Sequence, residues 1–158
     1  MPKVLIIGYG NSMRGDDVVG CHVARMLEER YRDEPEVRVL GAPQLTPEMT
    51  EDVAASEFVL FLDAAVGTHA GDIRQEKLKS RSGPLSLAHS LDPDLLLAAA
   101  DKLYGSVPRA ELLTIVGASF EVGDRLSTPV TRRLPGFLKR AQAIVESHRR
   151  CTTRELVP

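Results

Sequence analysis

A three-layer α/β/α fold, built on a mostly parallel, twisted, five-stranded sheet, is what this sequence predicts, and three observations carry the expectation. Short runs of β-branched and aliphatic residues alternate with amphipathic stretches along the chain, as strand-helix repetition requires. Two of those runs, Val4-Leu5-Ile6-Ile7 and Phe58-Val59-Leu60-Phe61-Leu62, are unbroken apolar sequence, the mark of central strands covered on both faces. No internal repeat or linker divides the 158 residues, so one domain over residues 1–148 is expected, followed by a flexible polar tail over 149–158.

The elements follow in order. Strand one runs from Lys3 to Gly8. Asp16 stands where an N-cap is needed for a first helix, in which Val19, Val23, Met26 and Leu27 recur at helical spacing opposite Arg25, Glu28, Glu29 and Arg30. Val37 to Leu40 reads as strand two, and Thr46-Pro47 as the cap and first-turn proline of a short helix ending near Ala55. Phe58 to Leu62 is strand three and terminates at Asp63. Gly71 to Leu78 interleaves polar and charged residues and reads as an edge strand, with a loop from Ser80 to Ser90 after it. Asp92-Pro93 opens a helix through Leu95, Leu96, Ala99 and Leu103 that stops at Gly105. Leu112 to Val116 is the last core strand. Thr128-Pro129 starts a final helix whose stripe is Val130, Leu134, Phe137, Leu138, Ala141 and Ile144, kinked at Pro135.

Composition removes several classes of function. Hydrophobic residues at 43% and charged residues at 27% describe a packed globular chain, not a disordered one. Twenty Lys and Arg against twenty-two Asp and Glu create no net field that would draw the chain to nucleic acid or anionic lipid. Cys21 and Cys151 lie far apart with no metal-type spacing, so no disulfide framework is expected and the cytoplasm is the expected compartment. The leading apolar run, Val4 to Ile7, is shorter than a signal-peptide core, and nothing later approaches the roughly 18 apolar residues of a membrane span.

The segment after strand one, Gly8-Tyr9-Gly10-Asn11-Ser12-Met13-Arg14-Gly15-Asp16-Asp17, occupies the place of a dinucleotide-binding loop but has the wrong chemistry for one. Met13 stands where the third glycine of that fingerprint belongs, two carboxylates would repel a pyrophosphate, and strand two ends in Leu40-Gly41 without an acidic ribose ligand. Taken alone, Asp16 and Asp17 would simply cap a helix and favour its positive end. Their position adds more. In an open α/β sheet the carboxyl ends of neighbouring central strands face one crevice, and Asp63 ends strand three there. His89, in the loop before the third helix, can reach the same crevice, with His69 as the competing histidine. One histidine and two carboxylates suit a first-row divalent metal with open positions. His22 and His148 read as structural. No covalent nucleophile stands out: Cys21 falls on a helix, Cys151 in the tail, and Ser12 has no histidine near it in sequence.

These residues resemble the hydrogenase maturation endopeptidases, whose first loop has the form Gly-x-Gly-Asn, then an Asp followed by Asp or Glu, then a nearby Gly. Gly8, Gly10, Asn11, Asp16, Asp17 and Gly20 fit that form. The resemblance implies Asp17, Asp63 and His89 as the residues that recognise nickel carried by the substrate. The activity implied is removal of a short C-terminal extension from a nickel-iron hydrogenase large-subunit precursor after nickel insertion, with the metal arriving on the substrate. The metal could polarise the scissile carbonyl or activate a water, or a carboxylate such as Asp16 could act as general base beside it. No exposed apolar stripe demands an assembly, so a monomer is expected. One departure is Gly41-Ala42-Pro43-Gln44, where many members carry Gly-Gly-Thr after strand two. Two rivals stand beside this reading: a nickel-sensing assembly protein that does not cut, and a small hydrolase or phosphorylase acting on a metabolite.

Overall fold

The computed structural model describes residues 2–80 and 91–155, with side chains through Arg150. Five strands form one sheet: β1 (Val4–Tyr9), β2 (Val37–Ala42), β3 (Phe58–Ala65), β4 (Ile73–Leu78) and β5 (Arg109–Val116). Their order is β2-β1-β3-β5-β4, all parallel except β4, which runs antiparallel to β5 at one edge. The helices are α1 (Val19–Arg30), α2 (Met49–Ala54), α3 (Pro93–Tyr104) and α4 (Thr128–Glu155). This is the expected architecture, with the charged strand at the expected edge.

The unbroken apolar runs explain the three layers. Successive strand residues point to opposite faces, so a strand apolar at every position needs a cover on each side. Val4 and Ile6 pack with Phe58, Leu60 and Leu62 against Val19, Val23 and Leu27 of α1 and Phe137 and Ala141 of α4. Leu5 and Ile7 pack with Val59 and Phe61 against Val53 of α2 and Leu96, Leu97 and Ala100 of α3. Each fully buried aliphatic or aromatic side chain contributes roughly 1.5–3 kcal/mol, so both faces are strongly driven to close. Among the described residues no helix is long and apolar enough to cross a membrane.

Several expectations need correction. Asp16 does not cap the first helix. A 3-10 turn at Gly15–Val18 precedes α1, no side chain caps either element, and Asp16 turns inward instead. Asp63 does not end its strand, because β3 continues to Ala65 through pairing of Asp63, Ala64 and Ala65 with Thr114, Ile115 and Val116. Thr46-Pro47 forms a turn ahead of α2, which begins at Met49. β5 starts at Arg109, three residues early, since its charged Arg109 and Glu111 conceal strand character in an apolar count.

The tail was expected to fray from Arg149, but α4 runs on to Glu155. The guanidinium of Arg149 reaches Glu34 at 2.9 Å, Glu146 at 2.9 Å and Glu36 at 2.7 Å, which ties this turn to the segment before β2. Pro135 lies inside α4, and the helix continues through it. At α3 the reading holds fully: the Asp92 carboxylate accepts from the Leu95 amide at 2.9 Å, and Gly105 takes the left-handed conformation at the other end. The loop expected at Ser80–Ser90 lies, from residue 81 onward, outside the described residues, and so does its His89.

Candidate active site

The crossovers from β1 to β2 and from β2 to β3 use helices on opposite faces, so the sheet changes winding direction between β1 and β3. A crevice opens beyond the carboxyl ends of strands at such a switch point. The loop after β1 is held over it by very close backbone approaches. A Cβ on Gly20 would meet the Leu62 carbonyl oxygen at 2.3 Å, and one on Gly8 would meet the Gly20 oxygen at 2.1 Å, so helix and strands touch with no side chain between them. Gly10 has φ 151°, and a Cβ there would meet the Asp17 oxygen at 1.7 Å. The glycines of the first-loop motif are therefore steric requirements for folding the loop back on itself.

Asp17 is half-buried, and one of its oxygens accepts from the Asn11 amide at 2.7 Å. Asn11 in turn accepts from the Met13 amide at 2.9 Å, so the asparagine of the motif shapes the turn that presents Asp17. Asp63 projects from β3, with its carboxylate accepting from its neighbour's amide, Ala64, at 2.8 Å. Burial pushes its pKa up to about 6, opposed by hydrogen bonds from Ala64 and the Tyr9 hydroxyl and reinforced by the negative charge of Asp17. The charge of Asp17, in the loop after β1, thus reaches Asp63 within β3.

Tyr9, the last residue of β1, was not anticipated. Its hydroxyl donates to the Asp63 carboxylate, and its pKa is raised by burial first and then by Asp63, Asp92 and Asp17. The available signal was a hydroxyl-tipped aromatic at the end of an otherwise aliphatic buried strand. Asp92, the cap of α3, thus stands near enough for its charge to reach Tyr9. His89 lies outside the described residues, three positions ahead of Asp92.

Asp16 is completely buried. Its Oδ1 accepts from the Ser127 amide at 2.7 Å, and its Oδ2 from the Ser127 hydroxyl at 2.7 Å, the Ala118 amide at 2.7 Å and the Ser119 amide at 3.1 Å. Burial favours the protonated acid, but these four donors outweigh it and hold the pKa below the ordinary carboxylate value. Three of the four donors converge on Oδ2 and one on Oδ1, so both oxygens are engaged.

The remaining candidates stand apart. His69 is exposed, with its ring 3.0 Å from the Thr68 hydroxyl. Among the described residues no group of three metal-binding side chains forms. His22 is exposed on α1, and His148 stacks on Phe58 with ring centroids 3.4 Å apart rather than sitting at a helix end. The Cys21 thiol donates to the Ala42 carbonyl at 2.8 Å, and burial raises its pKa, so it is no activated nucleophile.

No protein-family model matches the chain. It is 24% identical over 119 residues to the hydrogenase 2 maturation protease of Escherichia coli K12, covering 73% of this chain and 71% of that one. Its structure is similar to the hydrogenase maturating endopeptidase HybD of E. coli, with a TM-score of 0.72 and 18% identity over 93% of each chain. It is also similar to the [NiFe] hydrogenase maturation protease HycI of Thermococcus kodakarensis, with a TM-score of 0.71 and 23% identity over 91% and 92% of the two chains. The chain therefore has the fold of the hydrogenase maturation proteases and resembles one of them in sequence across nearly three quarters of its length.

Proposed function

We propose that this chain is an endopeptidase that removes the C-terminal extension of a nickel-iron hydrogenase large-subunit precursor once nickel has been inserted, with Asp17, Asp63 and His89 engaging the substrate-borne nickel. The observation that carries the reading is that the charge of Asp17 reaches the half-buried Asp63 at the β1–β3 crevice, in a chain with the maturation-protease fold. Two like charges partly withdrawn from water favour a cation between them. A divalent ion presented by the substrate relieves that repulsion and holds Asp63 ionised.

Asp16 is proposed as a positioning residue, since it is completely buried and held by four donors. Asp63 has a pKa of about 6 in the absence of metal, and the Tyr9 hydroxyl orients its carboxylate. Tyr9, Asp17 and Asp63 come from one chain, so a monomer suffices.

The test is to incubate the protein with nickel-loaded and nickel-free precursor and weigh the products. Release of a C-terminal peptide from the loaded precursor alone is expected. It should be lost in Asp17→Ala, Asp63→Ala and His89→Ala, while circular dichroism stays unchanged. Stable binding of the loaded precursor with no cleavage would instead establish a nickel-sensing assembly protein.

A further inference from the structure

A broad concavity lies at the other end of the sheet. It is a trough of about 630 Å³ between the β4–β5 edge and α4. By strand register Gln75 and Lys77 share a face with Leu113 and Glu111, and Leu113 is packed beneath α4. Where α4 leaves that face uncovered, the trough is backed by the buried Phe58 and Ile144, with the His148 ring stacked on Phe58. Lys77, Lys79, Arg109 and Arg140 stand around it. The one acid in the lining, Glu111, is already engaged, accepting from Gln75 at 3.1 Å and lying 3.4 Å from His148.

A chain with a net charge of −2 thus gathers four cations against one carboxylate here. Lys77, Lys79 and Arg109 form no ion pair with a described acidic residue. The shape decides the ligand. Arg140 is anchored beside Gln75 at 3.2 Å, whereas Lys79 lies four residues further on, about 13 Å away at strand rise. On α4 the lining runs from Arg140 to His148, about 12 Å at helical rise. A single phosphate or carboxylate cannot reach both ends. An extended chain spans the distance in about four residues.

We propose that this trough docks a short extended segment of a protein partner that carries carboxylates at both ends of about four residues. The end carboxylates meet Arg140 and the Lys79–Arg109 pair. β4 is an edge strand with no partner on its outer side among the described residues, which leaves main-chain groups beside the trough for the docked segment.

Fluorescence anisotropy with a labelled Glu-Leu-Ala-Leu-Glu peptide tests this. Saturable binding is expected that weakens as salt rises. Lys79→Glu and Arg140→Glu should each weaken it by about tenfold, with unchanged melting temperatures since both side chains are exposed. The charge-reversed peptide Lys-Leu-Ala-Leu-Lys should not bind. Absence of binding by the acidic peptide, undiminished binding by both variants, or displacement by inorganic phosphate as effective as by unlabelled peptide would each overturn the proposal.

Discussion

Asp16 and Ser127, 111 residues apart in sequence, are joined by two hydrogen bonds of 2.7 Å, one from the Ser127 amide and one from its hydroxyl. Together with the Ala118 and Ser119 amides they clamp the loop after β1 to the segment between β5 and α4. Asp16→Ala deprives three part-buried backbone donors and the Ser127 hydroxyl of their acceptor. A loss on the order of 3 kcal/mol is expected, read as a lower urea midpoint. Ser127→Ala removes one hydroxyl and should cost about 1 kcal/mol.

The same carboxylate makes stability depend on pH. Its folded pKa lies below the unfolded value, so its contribution is present above that value and lost as pH falls through the folded pKa. Acid unfolding of wild type should therefore show a component below about pH 4 that Asp16→Asn lacks. Coincident acid-unfolding curves for the two proteins would refute this.

Asp63 has the opposite sign. Its folded pKa of about 6 lies above the ordinary 3.8, so its contribution is present below the unfolded value and lost as pH rises through about 6. In the protein without metal, Asp63→Asn should flatten the decline in melting temperature between about pH 4 and 6.

Tyr9→Phe deletes the donor that favours the ionised form of Asp63. The Asp63 pKa should move upward, visible in the carboxyl carbon resonance, and the acidic limb of peptide release should shift to higher pH. A limb that does not move would show that Asp63 does not set it.

Gly20→Ala tests the close approach beneath the loop. Its methyl would overlap the carbonyl oxygens of Leu62 and Tyr9, at 2.3 and 2.6 Å, neither of which can yield without moving a strand. A loss of several kcal/mol is expected in thermal unfolding, well beyond ordinary surface substitutions.

Much of this molecule was legible in its sequence because the dominant signals are local. Val4 to Ile7 and Phe58 to Leu62 declare two-sided burial by being apolar throughout, and Asp92-Pro93 with Gly105 marks both ends of α3 by turn chemistry alone. What stayed hidden depends on partners distant in sequence. Asp16 has the local appearance of a cap, and only the amides of Ala118, Ser119 and Ser127 turn it inward. Tyr9 becomes a site residue only because β3 is its neighbour. Arg149 belongs to a helix, not a tail, because Glu34 and Glu36 receive it.

The interleaved strand order also has a consequence during synthesis. Tyr9, Asp17 and Asp63 all lie in the first 63 residues, so every described acidic group of the proposed centre has left the ribosome early. The groups that seat them arrive much later: β5, at residues 109–116, covers the open side of β3, and Ser127 closes on Asp16 after that. A nascent chain thus carries its acidic residues unseated until Ser127 has emerged. The seating of the proposed centre is therefore a late event of chain closure.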